Sequence, residues 1–226
     1  MSRNTEHMYD LSAVLEAETL SSVRPGTSIL VSGPSMTGKD SLLFDLLADG
    51  ITRDEAGILM TTDRDGADTL EEIQSIAGDA DASLLSAIDC RAKTGRDERE
   101  RDSGAYVYSV TEPSEFTGIG IGITKCFDRM REEDVADGRI ALTSLSTMVR
   151  YADRKTVFKF CHVLSQRLDS AGFIGFFTLN SGAHDEQTVQ VIKQAFDANI
   201  EVREHEGERQ LRVLGTDTQP TDWQAF

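Results

Sequence analysis

One stretch of the sequence has the residue types and the spacing of a phosphate-binding loop. The glycines at positions 33 and 38 would let the backbone wrap around an anion, so that N–H groups and a helix N-terminus face it. The ammonium group of Lys39 would neutralise the outer phosphates of a nucleotide. The predicted binding residues are Gly33, Pro34, Ser35, Met36, Thr37, Gly38, Lys39, Asp40 and Ser41.

The one departure from the pattern is Asp40, which stands where a Ser or Thr hydroxyl usually holds Mg²⁺. A carboxylate is a good ligand for a hard cation, but it also places a negative charge beside the phosphates. Asp40 is therefore either a Mg²⁺ ligand or a group that repels the nucleotide. It also has a purely structural interpretation, as a first-turn carboxylate stabilised by the helix dipole.

The residues around the loop decide whether the match is accidental. An apolar run at 28–31 precedes the loop and predicts a strand, while leucines at helical spacing follow it, at Leu42, Leu43, Leu46 and Leu47. Strand, loop and helix in this order are what phosphate binding requires. A glycine-rich turn that binds nothing is the alternative interpretation, and the complete set of glycines and lysine favours binding.

The rest of the chain predicts an α/β fold, because short apolar runs alternate with longer helical patterns. We expect one domain over 1–226, with a mostly parallel central sheet flanked by helices. A flexible charged loop is predicted at 91–104 and a polar tail at 217–226. Further predicted strands cover 57–62, 84–90, 106–108 and 172–179, and the segment 138–146 is predicted to be a strand that runs into a hydroxyl-rich loop. Predicted helices cover 11–23, 67–76, 113–130, 153–168 and 186–196, and a hairpin joins 200–203 to 210–214.

The composition is strongly acidic. Asp and Glu number 39 against 23 Lys and Arg, giving a net charge of −16, and only six of the basic residues are Lys. Such a surface repels nucleic-acid backbones and anionic lipids, so binding to DNA or membranes through surface charge is disfavoured. Abundant carboxylates with scarce lysine favour a salt-rich cytoplasm, although an acidic regulatory protein from an ordinary cell has a similar composition.

Cysteine usage and hydropathy favour a cytoplasmic protein. The three cysteines, Cys90, Cys126 and Cys161, are widely spaced and include no CxxC pair, so we expect buried thiols rather than disulfides or a zinc site. The first residues contain no apolar stretch of the kind found in secretory signals. The longest apolar run, at 173–179, is too short to span a membrane.

The order of these elements resembles the RecA superfamily of ATPases, and in particular its KaiC-like group, which includes archaeal regulatory ATPases. The resemblance covers about residues 11–214 and is carried by the loop region 28–47, the acidic strand end 57–65 and the Walker B region 139–146. The chain is similar to short, acidic members from salt-loving archaea that carry Gly-Lys-Asp in the loop. The resemblance implies a RecA-like P-loop core that binds ATP and Mg²⁺.

At the positions where family members carry catalytic groups, this sequence departs from the pattern. The Walker B aspartate that holds Mg²⁺ in the family corresponds here to Thr143. A Glu at the end of the second strand polarises water in active members, and this chain offers Asp63 and Asp65, which are one methylene shorter. A displaced base costs rate steeply, so the resemblance implies at most a slow ATPase with degenerate Walker A and Walker B positions.

Several other polar residues are weaker candidates. Asn180 and His184 lie after a predicted strand and could sense a γ-phosphate, although helix capping at Asp185 or Glu186 explains this segment more simply. Possible arginine fingers for the phosphates of a neighbouring subunit, as ring-forming members of the family suggest, are Arg150, Arg203, Arg209 and Arg212. Ion pairs within one chain account for these arginines equally well.

Three hypotheses of function follow. The first is an ATP-binding regulatory protein that turns over ATP slowly and acts on a signalling partner, as a monomer or as a homo-oligomer. In it, Asp40 and Thr143 (or the Ser144 hydroxyl) meet Mg²⁺, and Asp63 or Asp65 orients water. The second is a non-enzymatic interaction module that keeps the fold but has lost the nucleotide. The third, a DNA-recombination ATPase, conflicts with the acidic charge.

Overall fold

The computed structural model describes residues 8–15, 20–91, 96–215 and 220–226. Its helices are α1 (Lys39–Ile51), α2 (Gly66–Ala77), α3 (Phe116–Glu132), α4 (Leu145–Tyr151), α5 (Arg154–Ala171) and α6 (Glu186–Lys193). Its strands are β1 (Ser28–Gly33), β2 (Ala56–Thr61), β3 (Leu85–Asp89), β4 (Asp97–Glu100), β5 (Tyr106–Ser109), β6 (Gly138–Thr143), β7 (Ile174–Asn180), β8 (Ala198–His205), β9 (Glu208–Gly215) and β10 (Gln224–Ala225).

The strands form one sheet in the order β10-β9-β8-β1-β7-β6-β2-β3-β5-β4. Neighbours from β8 to β5 are parallel, while β4, β9 and β10 pair antiparallel with their neighbours. The expected α/β class with a mostly parallel sheet and a hairpin near the end of the chain is confirmed. Because the central strands are parallel, the carboxyl ends of β1, β2, β6 and β7 meet at one edge of the sheet.

Helices cover both faces of the sheet, so the parallel strands are buried on both sides. Leucines of α1 and α2 pack on one face, with Ile29 and Val31 of β1 pointing towards them. The other face packs against α3, α5 and α6, and the intervening residue Leu30 belongs to that cluster. Both faces of β1 are therefore buried up to the start of the loop.

Three expectations from the sequence are wrong. The end of the segment 138–146, expected to be a hydroxyl-rich loop, is the start of helix α4. Within the described part of 11–23 there is a turn and an isolated bridge between Tyr9 and Val23 rather than a helix. Within the segment 91–104 that was expected to be a loop, Asp97–Glu100 forms the edge strand β4, and residues 92–95 lie outside the described residues. An edge strand of this kind needs no apolar side chains, because backbone pairing with β5 and exposed ion pairs hold it.

The thiols behave as expected, since all three cysteines are free and buried. Burial raises the pKa of Cys126 and of Cys161 to about 12. In the described residues, no helix has the length and apolar character needed to cross a membrane.

A buried ion-pair network stabilises the amino ends of the central strands, opposite to the loop. The guanidinium of Arg139, fully buried at the start of β6, donates to Glu55 (2.6 Å), to Asp49 (2.9 Å) and to the carbonyl of Leu46 (2.8 Å). Glu55 is itself only 4% exposed. The buried positive charge of Arg139 and the buried negative charge of Glu55 therefore compensate each other.

We predict that Glu55→Gln destabilises the protein by about 3 kcal/mol, because it leaves a buried guanidinium with less compensating charge. Chemical denaturation monitored by circular dichroism measures this. The matched control is Asp97→Asn, which removes the exposed Asp97 partner of Arg99 and should change stability little. Equal effects of the two substitutions would show that the buried network does not stabilise the fold.

Candidate functional site

The loop between β1 and α1 has the backbone shape that its glycines require. A side chain at Gly33 would collide with the backbone oxygen of Val202 on β8, so only glycine fits there. Gly38 has a left-handed backbone (φ +83°) and is the N-cap of α1. Between them the loop projects from the sheet, and Met36 at its tip is 91% exposed.

Lys39 is the first residue of α1, and its side chain folds under the loop. Its ammonium donates to the carbonyl of Pro34 and to Thr37 Oγ1 (3.3 Å), and Thr37 Oγ1 also donates to Pro34 (2.9 Å). The residue is only 8% exposed. Burial lowers the pKa of Lys39, while the charge of Asp40 opposes that change. A bound anion would favour the charged form of this lysine.

Asp40 lies in the first turn of α1 and is half-buried, whereas Ser41 beside it is exposed. Burial raises the pKa of Asp40, and the negative charge of Asp63 raises it further. The Thr178 hydroxyl and the charges of Lys39 and Arg64 oppose this rise without cancelling it. The carboxylate is therefore less stable in its charged form than an ordinary aspartate.

A row of polar side chains crosses the sheet beside Asp40. The strand register aligns Val31 with Thr178, and Thr61 with both Thr143 and Asp89. Leu142 aligns with Phe177. The next residues along these two strands, Thr143 and Thr178, are therefore neighbours as well. Val31 packs towards α1, so residues in register with it share that face of the sheet.

Two hydroxyl groups in this row are buried without a satisfied hydrogen bond. Thr143 Oγ1 has no partner among the described residues, and Thr178 Oγ1 lies beside Asp40 without a hydrogen bond of good geometry. Both residues are at most 1% exposed. Buried hydroxyl groups normally have a partner, so these two favour a bound water or ion at this position.

The two carboxylates predicted to orient water differ in their surroundings. Asp63 is exposed and its charge acts on Asp40. Asp65 is the N-cap of α2, where it accepts from Ala67 and Asp68, and it pairs with Arg91 at 2.5 Å. Burial raises the pKa of Asp65, but these hydrogen bonds and the ion pair lower it by more. The net pKa therefore lies below the usual value. Asp63 is the carboxylate that is not already engaged in a helix cap and an ion pair.

A second polar cluster lies at the carboxyl end of β7, next to the loop. Asn180 aligns with Gly33 and its amide donates to the Ser35 hydroxyl at 2.5 Å. Ser146 Oγ accepts from the backbone of Asn180 and contacts His184 Nε2, both at 2.9 Å. Burial lowers the pKa of His184. The residue that connects this cluster, Ser146, was not identified from the sequence, which gave only a hydroxyl-rich segment after β6.

The expected helix cap in this segment is confirmed, because the Asp185 side chain accepts from the backbone of Thr188 at the start of α6. Of the arginines considered as fingers, Arg203 and Arg212 are engaged within the chain. Their guanidinium groups lie 4.0 and 4.7 Å from the ring centroid of Trp223, and Arg212 also pairs with Glu201. Arg209 instead lies against the loop.

The donor groups at the loop suit a metal ion only together with other ligands. Among the described residues, no group of three or more His, Cys, Asp or Glu side chains could hold a metal. One carboxylate and buried hydroxyls do fit Mg²⁺, which keeps several waters and is usually completed by phosphate oxygens. A metal at Asp40 and Thr143 would therefore arrive with an anionic ligand.

These features define the class as an α/β protein with a glycine-rich loop between a buried strand and a helix, at the carboxyl edge of its parallel strands. The chain belongs to the DUF7504 family, a family of unknown function, whose model matches residues 26–202. A search of the curated proteins finds no match. The matched segment includes the loop, Thr143 and Asn180.

We predict that Asp40→Asn raises the melting temperature at pH 7 by about 2–4 °C, the change expected for about 1 kcal/mol in a chain of this size. The raised pKa means that the folded state holds the Asp40 proton to a higher pH than the unfolded state. The charged form therefore costs stability at neutral pH, and this cost disappears as the pH falls towards the unfolded value near 3.8.

Thermal unfolding of wild type and Asp40→Asn across this pH range tests the prediction. Asp68→Asn is the matched control, because Asp68 is an exposed carboxylate in the first turn of α2. It should give no gain. A lower melting temperature for Asp40→Asn at pH 7 would mean that favourable contacts hold the carboxylate in place.

Proposed function

We propose that this chain is a nucleotide-binding regulatory protein that binds ATP weakly, hydrolyses it slowly and acts through contacts with another protein. The observation that carries the proposal is Lys39, an ammonium group buried beneath a glycine-rich loop at the N-terminus of α1. Its contacts are with groups of the loop itself, and its position suits the neutralisation of a phosphate chain.

In this proposal, residues 33–41 cradle the phosphates with their backbone N–H groups, assisted by the dipole of α1. Lys39 neutralises the phosphate charge. Asp40 and the buried hydroxyl of Thr143 would hold Mg²⁺, which would neutralise the charge that develops on the phosphates. Asp63 orients the attacking water, since Asp65 is already engaged with α2 and Arg91.

The same residues explain why turnover would be slow. The Asp40 charge lies beside the phosphates, and its raised pKa reflects an environment that disfavours further negative charge. Thr143 contributes a neutral hydroxyl where a carboxylate would bind a metal strongly. Asp63 is short and exposed, and a misplaced base costs on the order of 100-fold in rate.

The order of the strands supports the RecA-like, KaiC-like part of the proposal. The strand β7 lies between the loop strand β1 and β6, which ends in Thr143, so the loop and Thr143 lie at the same edge of the sheet with one strand between them. Asn180 at the end of β7 then contacts the loop directly. An Asn in this position suits the sensing of a terminal phosphate and the transmission of its presence to α6 through the Ser146 and His184 contacts.

Regulation through a protein partner fits the surface charge better than binding to DNA, because a net charge of −16 repels phosphate backbones. The alternative function is an interaction module without nucleotide. It is favoured by one observation, the proximity of Asp40 to Asp63, which gives the loop a negative charge of its own.

Titration with ATP in molar salt, with and without Mg²⁺, tests the proposed function. Lys39→Ala should weaken binding at least about tenfold, because it removes a charge-assisted contact to the phosphates. Asp40→Ser should strengthen binding most when Mg²⁺ is absent, since the metal otherwise compensates the carboxylate. Its affinity should then depend less on Mg²⁺ than that of the wild type.

A matched control is Lys159→Ala, which removes an exposed lysine from α5, far along the chain from the loop. It should leave the affinity unchanged. If wild type, Lys39→Ala and Asp40→Ser all fail to bind ATP, the interaction module becomes the better account.

A further inference from the structure

Arg209 lies on the hairpin of β8 and β9 and reaches back over the loop of its own chain. It is the second residue of β9, and in the strand register it lies opposite Glu204 of β8. Its guanidinium covers Gly38, so that a Cβ atom at Gly38 would lie 2.9 Å from Arg209 Nη1 and 3.2 Å from Cζ. The contact is therefore with the residue that caps α1.

The guanidinium of Arg209 has no ion pair or hydrogen bond to any of the described residues, in contrast to Arg203 and Arg212 on the same hairpin. Carboxylates are abundant in this chain, with 39 Asp and Glu against 23 Lys and Arg. The guanidinium of Arg209 is solvent-exposed, and none of the described residues occupies its N–H donors.

Arg209 adds an exposed positive charge to a region that already carries partial positive charge. The N-terminus of a helix carries partial positive charge, so a cation beside it is repelled. The ammonium of Lys39 adds a second positive charge beneath the same loop. Asp40 offsets part of this charge, but it lies in the first turn of the helix, close to Thr178 and Asp63.

We propose that Arg209 is a phosphate-binding residue that acts in the same chain as the loop, and that it closes the side of the anion site opposite to Lys39. The inference rests on the proposed function and extends it. A guanidinium presents several N–H donors in a planar arrangement that suits two phosphate oxygens at once. Asp40 and Thr143 would bind a metal more weakly than the hydroxyl and the aspartate usual at these two positions. Arg209 would supply additional positive charge at this site.

The hairpin is held in a way that keeps Arg209 in position. On one side β9 pairs with β8, which in turn pairs with the loop strand β1. On the other side β10 pairs with β9, and the backbone N–H of Phe226 donates to the carbonyl of Arg209 at 3.2 Å. The ring of Trp223 contacts the guanidinium groups of both Arg203 and Arg212. These contacts hold the backbone at Arg209 beside the loop, within reach of an anion bound there.

Calorimetric titration with two probes, ATP and inorganic tripolyphosphate, tests this inference at a salt concentration where circular dichroism shows each variant folded. Arg209→Gln should weaken both probes about tenfold, the loss expected for one charge-assisted contact. Arg209→Lys should recover part of the affinity, because it restores the charge without the planar donors. Arg131→Gln, which removes an exposed arginine from α3, is the control for net charge and should bind both probes like the wild type.

Each other result contradicts the inference in a distinct way. If Arg209→Gln binds both probes like the wild type while Lys39→Ala does not, Arg209 has no role in binding and the proposed function stands. If Arg209→Gln weakens ATP alone, the arginine contacts the nucleoside rather than the phosphates. If the wild type binds neither probe, the proposed function and this inference both fail.

Discussion

The buried ammonium of Lys39 beneath its own loop is the interaction on which the rest of the site depends. It directs the carbonyl of Pro34 and the hydroxyl of Thr37 towards the start of α1, and so sets the shape of the loop. Burial of a cation at the positive end of a helix is unfavourable in itself. The structure offsets this with the carboxylate of Asp40, which in turn is disfavoured by its own burial and by Asp63.

The amino and carboxyl ends of the parallel strands differ in the pairing of their polar groups. At the amino edge of the parallel strands, polar groups are fully paired, as Arg139, Glu55 and Asp49 show. At the carboxyl ends, Asp65 pairs with Arg91 and Asn180 with Ser35, but Thr143 and Thr178 have unsatisfied hydroxyl groups among the described residues.

Local patterns in the sequence predicted much of the fold. The apolar run before Gly33 and the leucine spacing after it gave β1, the loop and α1, and the Glu206-Gly207 turn gave the hairpin, because each depends on neighbouring residues. The edge strand β4 was missed, since its side chains are all exposed and only pairing with β5 reveals it. The contact of Arg209 with Gly38 and the alignment of Thr143 with Thr178 depend on which distant strands become neighbours, and no local pattern contains that information.

The most direct test of this account is hydrogen–deuterium exchange of the amides in residues 33–41, measured with and without a large excess of ATP and Mg²⁺. If the loop cradles phosphates with its N–H groups, ATP should slow exchange throughout this segment in the wild type and not in Lys39→Ala. Unchanged exchange in the wild type would contradict the claim that this loop is an anion-binding site.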